Sequence, residues 1–165
     1  VMMKSHGEKV PWESPYMTLI LTGAAMGTLM WFNVWFIIWP AQKVVIASAE
    51  QVAGGGEAIP EAAALGARAG MASRTNTLFS LPMLFFMGAA SHLPNLAGGG
   101  ATTVFWVLAL VIIGLVEANG VVVKPGSPSQ KMLTSVKGTI GFGILLTVVL
   151  YIVTGLCCEA LGSPG

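Results

Sequence analysis

Three side chains within or beside the long apolar runs of this sequence could do chemistry: one amide and two ionisable groups, placed where a polar side chain has few partners. They are Asn33, His92 and Glu117. Charge inside a bilayer costs free energy, so ionisable residues there are usually paired or functional. His92 ends an apolar run and could ligate a haem, carry a proton, or hydrogen-bond a backbone carbonyl at a membrane surface. For Glu117, we predict an ion pair at the surface with Lys124 or Lys137.

Asn33 lies among three tryptophans, Trp31, Trp35 and Trp39, that recur every four residues and therefore share one helical face. A buried amide needs a hydrogen bond, so we predict a partner for Asn33 across a helix interface, worth about 0.6–2 kcal/mol. Indole rings can line a haem or quinone pocket. We expect instead that Trp39 anchors the helix at the membrane boundary and that Trp31 and Trp35 pack against a neighbouring helix.

Motifs that define other kinds of site are missing. The sequence has no CxxCH for covalent haem, no cysteine or histidine spacing for zinc or an iron–sulfur cluster, and no phosphate loop or nucleophile elbow. Cys157 and Cys158 are adjacent, which disfavours a disulfide between them. The sequence contains one histidine besides His92, and this is His6. A haem b or quinone site at His92 would therefore need a ligand from a partner.

Composition indicates a membrane protein. Of 165 residues, 55% are hydrophobic and 9% are charged, against about 25% charged in soluble domains. The net charge is +1 with scattered basic residues, which excludes nucleic acid as a partner. A bilayer core of about 30 Å needs roughly 20 apolar residues in a helix. We therefore predict one all-α membrane domain, residues 1–165, with four transmembrane helices at about 16–39, 74–92, 101–118 and 137–157.

The connections between these runs predict an orientation. The first contains Gly54 to Gly56 and Pro60 between two helix-forming stretches, so we expect a helical hairpin there. The first and third connections carry six Lys and Arg, and the second carries none: the six are Lys43, Arg68, Arg74, Lys124, Lys131 and Lys137. By the positive-inside rule the hairpin is cytoplasmic, and both termini and His92 lie on the outer side. Lys4 and Lys9 oppose this assignment.

Small residues and a proline predict how the helices pack. Gly23 and Gly27 form a GxxxG pair in the first run, and Gly138, Gly141 and Gly143 give the fourth a smooth side. Such residues let helix backbones approach closely in lipid. Pro82 removes one backbone hydrogen bond from the second run and should kink it, with Thr77 or Ser80 compensating.

Two stretches resemble a known family. They are Trp31-Phe32-Asn33-Val34-Trp35-Phe36-Ile37-Ile38-Trp39-Pro40-Ala41-Gln42-Lys43, and a second stretch from Ala72-Ser73-Arg74-Thr75-Asn76-Thr77 through Leu81-Pro82-Met83 to Ser91-His92-Leu93-Pro94. In this order and spacing they resemble the membrane domain of the cytochrome-c-linked urate hydroxylases. The resemblance runs from about Met17 to Asn119. It implies ten signature positions: Asn33, Trp35, Trp39, Gln42, Lys43, Arg74, Asn76, Pro82, His92 and Pro94.

The resemblance also implies a cellular setting. Members of the family typically carry further helices upstream and a periplasmic cytochrome c domain downstream, and an outward carboxyl terminus suits such a domain. We expect a bacterial inner-membrane protein that acts as a small accessory subunit of a respiratory or other electron-transfer complex. Its partners would be lipid and redox subunits, including a c-type cytochrome.

Two alternatives remain open from the sequence. The chain could be the membrane module of a urate-oxidising enzyme that passes electrons to cytochrome c, with Arg74, Asn76 and His92 as polar candidates. Arg74 and His92 would then be about 27 Å apart along one helix, at 1.5 Å per residue, which is too far for one site. It could also be a haem b or quinone carrier that uses His92.

Overall fold

The computed structural model describes residues 14–98 and 103–159, and all regular structure in these ranges is helical. Five α-helices follow one another along the chain: α1 Pro15–Asn33, α2 Trp39–Ala53, α3 Ala62–His92, α4 Thr103–Val121 and α5 Val136–Glu159. Short 3-10 helices at Pro94–Ala97 and Pro128–Thr134 precede α4 and α5. The all-α prediction is confirmed for the described part of the chain.

The first helix is much longer than the predicted span at 16–39. It begins at Pro15 and is capped by Ser14, whose side chain accepts a hydrogen bond from the Met17 amide at 3.3 Å. α1 and α2 are joined by a π-helical segment, Val34–Ile38, into one helix of 39 residues. The Trp39 amide donates to the Val34 carbonyl, five residues back. Pro40 has no amide hydrogen for the usual bond four residues back, which accounts for the wider turn just before it.

α3 is also longer than expected, because the stretch after Pro60 continues without a break into the run predicted at 74–92. Gly54 and Gly55, the latter at φ 85°, end α2. The Ser48 hydroxyl then accepts a hydrogen bond from the Ile59 amide at 3.0 Å, which holds the connection against α2. α2 and the first turns of α3 therefore lie side by side.

Three helical segments are long and apolar enough to cross a membrane: Pro15–Ala53, Thr103–Val121 and Val136–Cys158. α3 does not reach the same hydropathy, although we predicted four spans. Its interior is rich in Ala, Gly, Ser and Thr because it packs against each of the other four α-helices. Leu78, Phe79 and Phe86 of α3 are fully buried. A helix enclosed by others needs less apolar surface than one that faces lipid.

The contacts of α3 are close where the partner helix has a glycine. A methyl group on Gly23 of α1 would lie 2.7 Å from Cγ of Met87, and one on Gly143 of α5 would lie 2.9 Å from the Leu78 carbonyl oxygen. That carbonyl lacks its usual donor because Pro82 follows four residues later. The large apolar side chains of α4 and α5 that face away from α3 are mostly exposed, as expected of surfaces in lipid.

Candidate functional site

The signature amides of α1 and α3 meet the acidic residue of α4 in one polar cluster. Nδ2 of Asn33 donates to Oδ1 of Asn76 at 2.9 Å and to Oε2 of Glu117 at 3.2 Å. Nδ2 of Asn76 donates in turn to the Met30 carbonyl at 3.1 Å. We refer to Asn33, Asn76 and Glu117 as the amide–carboxyl cluster. It joins three helices, and Asn33 has the partner across a helix interface that its burial requires.

Burial leaves one atom of this cluster without a partner. Asn33 is 0% exposed, and its Oδ1 has no hydrogen-bond donor among the described residues. An orphaned buried acceptor is rare in folded proteins and costs roughly 1–3 kcal/mol. The cluster therefore has more hydrogen-bond acceptors than donors.

Glu117 departs from the sequence prediction. It forms no ion pair with Lys124 or Lys137 in the described residues; it accepts the Asn33 amide instead and is partly buried. The prediction of a surface ion pair was therefore wrong. The physical reason is the approach of α4 to α3: Gly120 lies against Thr75, one turn beyond Glu117, and brings the carboxylate to Asn33.

Arg74 links α3 to the third connection of the chain. Its guanidinium donates to the Leu133 carbonyl. Gln130, in the same connection, is 0% exposed and donates to the Asn119 carbonyl at 2.6 Å and to the Val123 carbonyl at 3.2 Å. Sequence reasoning missed Gln130, because a glutamine in a turn-rich segment has no pattern that marks it as buried.

Two tryptophans of the first helix, Trp31 and Trp35, do not pack as predicted. Trp31, Trp35 and Trp39 are 57%, 55% and 54% exposed, and Phe32 and Phe36 are similarly open. Among the described residues, the prediction that Trp31 and Trp35 pack against a neighbouring helix was wrong, whereas the anchoring of Trp39 at the membrane boundary stays a prediction. The five rings form an outward aromatic face, in which Phe36 stacks on Phe32 at 4.7 Å and meets Trp31 edge-on at 5.9 Å.

His92 is exposed at the end of α3, and its Nδ1 lies 3.0 Å from the Gly88 carbonyl. A proton on Nδ1 makes this a hydrogen bond and leaves Nε2 free. His6 lies outside the described residues. Arg74 and His92 are on the same continuous helix, so the expected separation of about 27 Å holds and they do not form one site.

The remaining signature residues lie apart from the cluster. Gln42 is partly buried and Lys43 exposed on α2, and Pro82 is buried inside α3. Pro94 begins the helix Pro94–Ala97, and its side chain lies outside the described part. In the described residues, no three His, Cys, Asp or Glu side chains come together to hold a metal ion.

The fold and the cluster define an all-helical protein with membrane-compatible helices that are tied together by buried amide hydrogen bonds. The family model described as urate oxidase N-terminal matches residues 12–154. The chain therefore belongs to this family, as the two motifs predicted. Searches of curated proteins and of solved structures give no match.

Proposed function

We propose that this chain is an accessory membrane subunit of a urate-related electron-transfer complex, with a structural and docking role. The observation that carries the proposal is the use made of the polar signature residues. Asn33, Asn76 and Arg74 each donate to an atom of another element of the same chain. Polar residues that hold the helices together in this way favour a structural role over a role in substrate binding.

The proposal includes four membrane spans, with α3 as the second. At 1.5 Å per residue the 31 residues of α3 extend about 46 Å, more than a hydrocarbon core of about 30 Å. Residues 75–91 include no charged side chain, whereas Arg68 and Arg74 lie before them and His92 after them. The other helices bury one side of this segment, and Leu84 and Met87 on its exposed side are apolar, so its lower hydropathy is compatible with a span.

The orientation in this proposal follows the basic residues. The first and third connections face the cytoplasm of a bacterial inner membrane, and His92 and both termini face the periplasm. A periplasmic carboxyl terminus would place this end of the bundle beside a c-type cytochrome. The outward aromatic face, Trp31, Phe32, Trp35, Phe36 and Trp39, is available for a larger subunit, because aromatic side chains are common anchors of interfaces.

Purification from the native membrane in mild detergent tests the accessory role. We expect a redox subunit, detected by its haem absorbance, to co-purify with the chain. The double change Trp35→Ala and Phe36→Ala should release it, whereas Leu115→Ala, at an equally exposed position of α4, should not. Recovery of the wild-type chain as a lone monomer contradicts the proposal.

Family membership favours a second function, in which the chain itself oxidises urate or a related purine and passes the electrons to cytochrome c. Asn76 and Arg74 are the polar candidates, near the middle of α3. Urate-dependent reduction of added cytochrome c by the purified chain would establish this function. No reduction, together with a co-purifying redox subunit, would favour the accessory role.

The free Nε2 of His92 favours a third possibility, a haem b or quinone held between this chain and a partner. A histidine that donates from Nδ1 to a carbonyl has Nε2 oriented for a ligand. The absorption spectrum of the purified complex, with His92→Ala beside it, checks this. A haem spectrum that is unchanged by the substitution excludes His92 as its ligand.

A further inference from the structure

The third connection, residues 122–135, and the first turn of α5 carry three lysines and no acidic residue. Lys124, Lys131 and Lys137 are exposed, and residues 118–158 include no Asp or Glu. None of the three lysines forms an ion pair in the described part of the chain. This end of the bundle therefore attracts anions from outside the chain.

Contacts within the fold bring a fourth cation to these lysines. The Arg74 guanidinium of α3 donates to the Leu133 carbonyl. Its side chain is exposed, and a guanidinium has further N–H groups to donate. A methyl group on Gly138 would overlap the Met132 carbonyl, so the first turn of α5 packs against the short helix before it. Three cationic side chains are next to this contact in sequence or reach it by a hydrogen bond: Arg74, Lys131 and Lys137.

Exposed apolar side chains alternate with these charges along the connection. Val122 and Val136 are 80% and 75% exposed, and Met132 is 47% exposed. Apolar surface that remains exposed beside polar groups is typical of protein or membrane contacts. We refer to these apolar and cationic side chains together as the basic connection surface: Arg74, Val122, Lys124, Lys131, Met132, Val136 and Lys137.

Hydrogen bonds fix the shape of this surface before any ligand binds. The buried Gln130 side chain donates to the Asn119 and Val123 carbonyls, and the Ser127 hydroxyl donates to the Lys124 carbonyl at 2.6 Å. A binding surface whose backbone is already ordered loses less conformational entropy when a ligand binds.

Helix length indicates the depth of the basic connection surface. α4 has 19 residues and extends about 28 Å, close to a hydrocarbon core of about 30 Å. Both α4 and α5 are long and apolar enough to cross a membrane. When they cross, the connection between them lies where acyl chains meet headgroups. At that depth valines contact acyl chains, and lysines extend their amines to the phosphates.

We propose that the basic connection surface binds an anionic phospholipid, with the headgroup phosphate held by Arg74, Lys131 and Lys137. Basic side chains at the ends of membrane helices attract anionic headgroups, and the exposed apolar side chains contact the upper part of the acyl chains. An acidic protein segment would match the charges but would leave the two valines without an apolar partner. The inference depends on α4 and α5 crossing the bilayer and not on the accessory role proposed above.

Native mass spectrometry of the full chain in a neutral detergent tests this site. The chain is titrated with phosphatidylglycerol and phosphatidylcholine that have the same acyl chains, and we expect phosphatidylglycerol to bind more tightly. Changing Lys131→Gln together with Lys137→Gln should lower the association constant for phosphatidylglycerol by about 25-fold, or about fivefold per lysine. The association constant for phosphatidylcholine should not change. Lys131→Gln alone, with an expected loss of about fivefold, serves if the double variant does not fold.

A matched control separates this surface from net charge. Lys43→Gln with Arg68→Gln also removes two exposed charges, from the first connection, and should retain wild-type binding. Four results would overturn the proposal: equal binding of the two lipids by the wild-type chain, unchanged phosphatidylglycerol binding in the lysine variants, an equal loss in the control, or displacement of the lipid by inorganic phosphate at the same concentration. The chain is measured alone, so this outcome is separate from the co-purification that tests the accessory role.

Discussion

Asn33 donates both of its amide hydrogens to oxygen atoms of two other helices, so one side chain links α1 to α3 and α4. Its need for a partner follows from the sequence alone, because an amide in an apolar run cannot stay unbonded. The identity of the acidic partner does not follow. Glu117 is 84 residues away, and its position depends on how closely α4 approaches α3.

We predict that Asn76→Ala lowers the free energy of unfolding in detergent by about 0.6–2 kcal/mol. The change removes the acceptor at 2.9 Å from Asn33 and the donor to the Met30 carbonyl. Unfolding by added denaturing detergent, followed by circular dichroism, measures the loss. Thr28→Ala is the control, because that hydroxyl is exposed and bonds only within its own helix. Equal stability of the two variants would show that the cluster does not hold the helices together.

α4 approaches α3 closely at Gly120. A methyl group there would overlap Oγ1 of Thr75 and lie 2.9 Å from its Cβ, and Thr75 is fully buried. We predict that Gly120→Ala destabilises the fold by about 1–3 kcal/mol through overpacking. The same unfolding assay measures it.

Two further variants separate overpacking from helix propensity. Gly114→Ala on the same helix has no atom within 4 Å of the added methyl group, so it should be neutral or slightly stabilising. Thr75→Ala should rescue Gly120→Ala in part, because it removes the hydroxyl but leaves Cβ. A harmless Gly120→Ala would mean that the helices are farther apart than described.

At the scale of whole elements, the apolar runs indicate where helices exist but not where they end. α1 continues through Pro40 into α2 because a π-helical turn accommodates the hydrogen bond that Pro40 cannot make. The hydropathy of the sequence does not predict that turn. α3 begins at Ala62 because the Ala-rich stretch before Arg74 has high helix propensity and packs against α2. The third connection is likewise ordered by Gln130 and Arg74, whose partners are backbone carbonyls that no pattern reveals.

For this third connection we predict that Gln130→Ala opens the segment between α4 and α5. The Gln130 side chain is buried, donates to two carbonyls and accepts the Gly126 amide at 3.1 Å. Leaving these groups without partners costs roughly 1–3 kcal/mol. Trypsin should therefore cleave after Lys131 faster in the variant, as measured by the appearance of the two fragments.

Gln51→Ala, on the exposed surface of α2, is the matched control and should be cleaved after Lys131 at the wild-type rate. If Gln130→Ala is cleaved no faster than this control, the buried glutamine is not what holds the connection. The retained helical content of both variants, measured by circular dichroism, shows that any difference is local.

At the scale of the whole molecule, α3 packs against each of the other four α-helices and is less apolar than α1, α4 and α5. The two properties have one cause, since close packing requires small residues and enclosure removes the need for a lipid-facing surface. Hydropathy therefore identifies the outer helices more readily than the central one. The family resemblance supplies the motifs of α3, and an accessibility measurement tests its path through the bilayer.

We predict that α3 crosses the membrane, so that its two ends react with a water-soluble maleimide from opposite sides. Single cysteines are placed at exposed positions by Glu57→Cys, Leu93→Cys and Ser129→Cys, with Cys157 and Cys158 changed to serine. Inverted vesicles should label Glu57→Cys and Ser129→Cys, and right-side-out vesicles should label Leu93→Cys, because the basic connections face the cytoplasm. Detergent-solubilised samples, in which all three sites react, control for local protection. Labelling of Leu93→Cys from the same side as Glu57→Cys would mean that α3 returns without crossing, and the structure would then have three spans.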